Sequence, residues 1–165
     1  MNIPKEQANT RSLGISLIRV HFGIILFAHG WLKVYVFGIG GTVGYFASLG
    51  LPSMITYLVI FGELFGGLAL ILGIQSRLAA MLAIPIVFGA CFFSFDNGWV
   101  HSAAGGGWEY AASLTVISLA LVLMGSGRYI SLNWNPLDKV LPGLSLIHIS
   151  EPTRRYAISY AVFCL

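Results

Sequence analysis

Four ionisable side chains stand in stretches that are otherwise apolar. RVHFGIILFAHGWLK (19–33) carries Arg19, His29 and Lys33, with His21 beside them, and FGELFGG (61–67) carries Glu63. A carboxylate and an imidazole in low-dielectric surroundings can take up and release protons, and nearby cations hold or offset the charge. Glu63 and His29 are therefore the candidate catalytic, proton-handling residues, and Arg19 and Lys33 the candidates for positioning charge. At about 100° per residue, Arg19, His29 and Lys33 share an arc of about 80°, whereas His21 lies off it. His29 and Lys33 are i, i+4 neighbours.

Charges at a bilayer centre cost at least about 2.5–3.5 kcal/mol, so each needs a partner. Depth arithmetic at 1.5 Å per residue brings Arg19 within one or two turns of Glu63, and predicts an Arg19–Glu63 ion pair. Glu109 falls at about the depth of Lys33 and His29, which predicts a polar pocket of those three, with His101, towards the outer face. Gly62 and Gly66 form a G-x-x-x-G pair suited to close helix packing. Plainer alternatives exist for each residue. An Arg19–Glu63 pair can simply order a bundle, Lys33 can snorkel to the interface, and His29 can make one interhelical hydrogen bond. His21 can pack, and Trp31, Trp99 and Trp108 suit an interfacial belt.

Metal chemistry has little support, because no H-E-x-x-H, H-x-x-E-H or E-x-x-H spacing occurs. His21 and His29 on one helix would stand about 12 Å apart along its axis. GIGGTVG (38–44) follows no strand of a βαβ unit and says nothing of nucleotides. The formal charge of +3 is too small and too dispersed for nucleic-acid binding.

The elements that must position these residues are membrane spans. Of the 165 residues, 57% are hydrophobic and only 9% charged, with a mean hydropathy of +0.84. Soluble domains carry about 25% charged residues, so this chain lacks a soluble protein's polar surface. Crossing a core of about 30 Å takes roughly 17–25 apolar residues. Four segments qualify: 13–37, 54–74, 78–95 (with Pro85 as a possible bend) and 109–125, the last short and expected to extend at one end. Together, 13–127 make an all-α, four-helix transmembrane bundle. The stretch 38–52 is either a short interfacial helix, with Tyr45, Phe46 and Leu49 on one side, or a glycine-rich loop. Lys5 and Arg11 precede the first span, Arg77 lies between the second and third, and Arg128 and Lys139 follow the fourth. The positive-inside rule then places both termini in the cytoplasm, with 1–12 and 128–143 as cytoplasmic flanks. The long polar lead is unlike a cleaved signal peptide, so the first span is expected to be retained.

Residues 144–165, LSLIHISEPTRRYAISYAVFCL, resemble translated sequencing-adapter DNA. As a non-native tail they lend no functional role to His148, Glu151, Arg154, Arg155 or Cys164, and they would replace whatever natively follows Gly143. That leaves Cys91 alone, without a C-x-x-C pair or a disulfide framework.

The chain resembles the DoxX family of small four-helix membrane proteins over about 13–133. The likeness rests on LIRVHFGIILFAHGWLK, on SLGLP before the second span, on GELFGGLALILGIQSRLAA, and on GSGRYISLN, where Asn133 stands in place of an aspartate. The resemblance implies four spans in a bacterial cytoplasmic (inner) membrane, with both termini on the cytoplasmic side. It also implies association with membrane oxidoreductase complexes, including thiosulfate:quinone oxidoreduction and oxidative-stress assemblies. By position it singles out Arg19, His29, Gly30, Lys33, Glu63 and Arg77. No redox cofactor site is evident in the chain itself, so the implied part is to bind quinone or to anchor a soluble or membrane oxidoreductase subunit. The rival readings are a small transporter for protons or small anions and a scaffold without chemistry.

Overall fold

A computed structural model describes residues 5–102 and 105–130. The segment 131–143 with Asn133, and the tail 144–165, lie outside the described residues. Five α-helices account for most of the described chain: α1 (Lys5–Trp31), α2 (Gly38–Ser48), α3 (Ser53–Leu72), α4 (Ser76–Phe93) and α5 (Glu109–Met124). Three stretches are long and apolar enough to cross a membrane, at Asn9–Val36, Ser53–Leu72 and Ser76–Phe93, and Glu109–Met124 is a shorter apolar helix.

Each helix buries one stripe and turns large apolar residues outward. On α1 the buried positions are Ser12, Ile15, Ser16, Arg19, Phe22, Gly23, Leu26 and Gly30, the 3–4 alternation of a single helix face. Leu17, Ile24, Phe61, Phe88 and Val116 point out of the bundle, as lipid-facing residues must. α1 packs on α3 and α5, α3 on α4, and α4 on α5, which closes a ring of four helices. Small buried residues on α4 (Ala79, Ala80, Ala83) let α5 approach, and the Ser118 hydroxyl donates to the Ala80 carbonyl at 2.7 Å.

The tightest contact is between α1 and α3, which run antiparallel. A Cβ on Gly67 would lie 2.6 Å from the Phe27 nitrogen and 2.7 Å from the Gly23 oxygen, so only hydrogen fits there. The expected Gly62/Gly66 pair is not this interface. A Cβ on Gly66 would meet nothing within 4 Å, and one on Gly62 would meet only the flexible end of Ile86. The close-packing motif is instead Gly23 across from Gly67.

Helix ends follow local chemistry. Extended Pro52 opens α3. Gly73, at φ 71°, closes it in a Schellman arrangement, with the Ile74 N–H donating to Ala69 and the Gly73 N–H to Leu70. α4 runs unbroken through Pro85. α5 starts and stops within 109–124, so the expected extension is absent. The stretch 38–52 resolves as a helix over most of its length, α2.

Arg19 caps one end of the bundle. It is fully buried. Its Nη1 donates to the Leu70 carbonyl at 2.9 Å, and its Nη2 to the carbonyls of Tyr129 at 2.9 Å and Ile130 at 2.6 Å. Leu70 lies in the last turn of α3, whose carbonyls lack intrahelical donors and whose dipole favours a cation. The predicted Arg19–Glu63 pair does not form. Leu70 is seven residues from Glu63, about 10.5 Å along the helix, and the guanidinium is already spent on carbonyls. On the segment after α5, the Arg128 and Tyr129 N–H groups donate to Ser12 and Ser16 Oγ at 2.7 and 3.2 Å.

Gly67→Ala should push α1 and α3 apart and cost about 1–3 kcal/mol, whereas Gly66→Ala should be neutral or stabilise by up to about 1 kcal/mol. Unfolding titrations in mixed detergent–SDS micelles separate the two. Arg19→Leu should remove the guanidinium that ties the carbonyls of Leu70, Tyr129 and Ile130 together, cost about 1–3 kcal/mol in the same titration, and speed tryptic cleavage after Arg128. Arg19→Lys should not restore stability, because an ammonium cannot span the fork.

Candidate functional site

α1 does not run straight into the loop. After Trp31 the chain widens into a π-helical turn, Leu32–Val36, closed by the Phe37 N–H donating to Leu32 at 3.0 Å, five residues back. α2 supports this turn, with the Thr42 hydroxyl lying 3.0 Å from the carbonyls of both Lys33 and Gly38. Single π turns are uncommon and concentrate at functional sites. Here the turn carries Lys33.

Lys33 points into the bundle. Its Nζ lies 2.6 Å from Glu63 Oε1 and 2.7 Å from Oε2, the ion pair among the described residues. The lysine side chain is 18% exposed and the glutamate 7%. Glu63 stands ten residues into α3, about 15 Å from its start, so the pair lies near the middle of that helix. Snorkelling to the interface is thereby excluded for Lys33. Gly30 makes room for the approach, since a Cβ there would sit 2.9 Å from Leu64 Cγ and 3.1 Å from Glu63 Cβ.

Beside the pair is a cavity of about 110 Å³. His29, Lys33, Glu63 and Tyr110 supply its polar wall, and aliphatic residues from α1, α4 and α5 the rest. The His29 ring centre is 6.2 Å from that of Tyr110, and His101, from the loop before α5, lies 5.4 Å from Tyr110 on the other side. Of the predicted outer pocket, His29 and Lys33 do meet. Glu109 is not part of the cavity wall; its Oε1 accepts the His101 backbone N–H at 2.8 Å and so fixes the loop. The same loop is tied back by the Trp108 and Glu109 N–H groups donating to Gly98 and Trp99.

Sequence reasoning missed four participants. Tyr110 follows Glu109 at the start of an apolar helix, and its neighbour drew the attention. Thr42 was hidden in a glycine-rich stretch. Ser12 and Ser16 continue the Arg19 stripe at i, i+4 and i+7, a signal the sequence does carry. Nothing in LKVYV announces a π turn.

The DoxX family model matches residues 14–96, which contain Arg19, His29, Lys33 and Glu63. A Bacillus subtilis (strain 168) protein named "Putative oxidoreductase CatD" is 33% identical over 73% of this chain and 85% of its own length. "Inner membrane protein YqjF" of Escherichia coli (strain K12) is 27% identical over 71% of this chain and 88% of its own. No solved structure matches. A family match that covers half the chain, a one-third-identical relative aligned over most of both chains, and three spanning-length apolar helices leave one assignment: the chain belongs to the DoxX family, as a multi-pass protein of the bacterial cytoplasmic membrane.

Proposed function

We propose that this protein is a four-span membrane subunit of a quinone-linked oxidoreductase system, and that Glu63 and His29 handle the protons of quinone reduction. One observation carries the reading. A largely buried carboxylate and ammonium, with the more exposed His29 imidazole beside them, line a small open cavity between helices of an otherwise apolar bundle. Ionisable groups at such depth are expensive and mark proton or substrate pathways. The printed name of the Bacillus relative supports the oxidoreductase assignment.

Size decides what occupies the cavity. A cavity of about 150 Å³ holds one benzene molecule, so 110 Å³ is too small for a substituted quinone ring. The ring docks at the lipid-facing mouth, and the interior holds water. Reduction to the quinol takes two electrons, from a partner oxidoreductase subunit, and two protons, which the His29 imidazole and the Glu63 carboxyl deliver to the quinone oxygens and then regain from water.

Orientation follows from the basic residues. Arg11, Arg77 and Arg128 gather at the Arg19 end, where the Arg128 N–H meets Ser12 and the Arg77 guanidinium lies against Gly125. The positive-inside rule makes that end cytoplasmic, with both termini and the flanks 1–12 and 128–143 on that side.

A second reading, a scaffold, draws on the completeness of the ion pair. Both carboxylate oxygens are engaged by Lys33, as a purely structural lock would require. Titrating a short-chain quinone into the purified protein and following tryptophan quenching discriminates between the two. Saturable binding that weakens roughly tenfold in Glu63→Gln, which leaves Lys33 uncompensated, supports the quinone-linked reading. Absence of saturable binding overturns it. The scaffold reading then predicts that Lys33→Met combined with Glu63→Leu keeps full stability, as buried pairs often tolerate apolar replacement.

A further inference from the structure

We infer that protons reach the Lys33–Glu63 pair from one side only, by way of His101, Tyr110 and His29, and that the path ends at the pair. The inference rests on the proton-handling reading of the site and adds the direction of access to it. His101 is exposed at the mouth of the loop. Tyr110 lies 5.4 Å from it, ring centre to ring centre, and His29 a further 6.2 Å on. Both Tyr110 and His29 line the cavity that touches Lys33 and Glu63. Imidazole can accept a proton on one nitrogen and release it from the other, and a phenol both donates and accepts.

The ring spacings exceed direct hydrogen bonds, so water must complete the chain. The cavity has room for about three waters at roughly 30 Å³ each, and its four polar residues supply the partners such waters need. The groups that face His29 are Lys33 on the π turn, Glu63 on α3, Tyr110 on α5 and His101 on the loop. Glu109, by holding the His101 backbone at 2.8 Å, keeps the entrance in register with Tyr110.

Towards the Arg19 end the core between the cavity and Arg19 closes on packed side chains. Phe22, Leu26 and Leu70 are at most 2% exposed, and the Gly23–Gly67 contact leaves no space for even a Cβ. Arg19 itself gives its Nη donors to backbone carbonyls and presents no acceptor. The arrangement is a proton well, closed at the far side, and not a channel.

The test uses the full chain in lipid vesicles. Infrared difference spectra after a pH jump, within about pH 4–9, follow protonation of the Glu63 carboxylate to the acid. The carboxyl band is assigned by its loss in Glu63→Gln. His101→Ala and Tyr110→Phe should each slow its appearance by more than about tenfold without changing its final amplitude. Val116→Ala, on the outer face of α5, should leave it unchanged. A band that appears at the wild-type rate in both path variants overturns the path and leaves the proton role of Glu63 standing. No carboxyl band at any pH removes that role, and the path with it. A pH-sensitive dye inside wild-type vesicles should report no proton leak above empty vesicles; a leak overturns the closed far side. Circular dichroism matching the wild type shows that each variant has folded.

Discussion

The contact of α1 with α3 at Gly23 and Gly67 fixes which charge can meet which. Two glycines allow the backbones to touch, and the antiparallel register that results pairs positions along both helices. Arg19 falls opposite Leu70, and Gly30 opposite Glu63 and Leu64. Lys33, carried one π turn beyond α1, then arrives at Glu63. A slip of one helical turn would move both cations off their partners. Each would be left as an uncompensated charge in hydrocarbon, at several kcal/mol apiece. Packing and electrostatics therefore specify the same register, the kind of agreement between levels that gives a sequence a single fold.

The two ends of the bundle use their cations differently. Arg19 meets only backbone carbonyls, and a planar fork with five donors suits three acceptors spread over two segments. Lys33 meets a carboxylate, beside an imidazole and a phenol in contact with a cavity. An ammonium is a compact charge on a flexible stem and can follow its partner. The Arg19 contacts tie backbone segments together, whereas the groups around the cavity are titratable side chains: His29, Lys33, Glu63 and Tyr110. The two cations thus stand about 21 Å apart along the helix axis, about half the length of α1.

Much of this was legible in the sequence. Composition and apolar run lengths identified an all-helical membrane chain, three of whose apolar runs are helices of spanning length, and the 100° periodicity put Arg19 on the inward face of α1. The assignment of partners was not legible. Depth arithmetic assumed that the first span begins near residue 13 and stands level with its neighbours, but helix extends back to Lys5 and the glycine contact sets the real register. Arg19 was sent to the only carboxylate in range because backbone carbonyls do not show in a sequence. The G-x-x-x-G spacing misled for a related reason. Gly62, Gly66 and Gly67 lie almost adjacent along α3, and only the partner helix decides which of them faces a backbone.

The short fifth helix explains why an arginine is buried at all. Sixteen residues of α5 make about 24 Å, some 6 Å less than a hydrocarbon core of about 30 Å. Residues 125–130 are not helical, and they lie against α1 at the level of Ser12 to Arg19. Backbone that leaves a helix while packed on protein needs other partners for its N–H and C=O groups. Ser12 and Ser16 take the N–H groups of Arg128 and Tyr129, and Arg19 takes the carbonyls of Tyr129 and Ile130. Gly127 fits because a Cβ there would collide with Ser16 Oγ and the Ser12 oxygen. Ile130, a β-branched residue, is held at φ 49°, a conformation it would leave without such restraint. The polar stripe of α1 therefore answers two separate demands. Its first half supplies hydrogen bonds to the non-helical segment after α5, and the π turn at its end supplies the charge for the site.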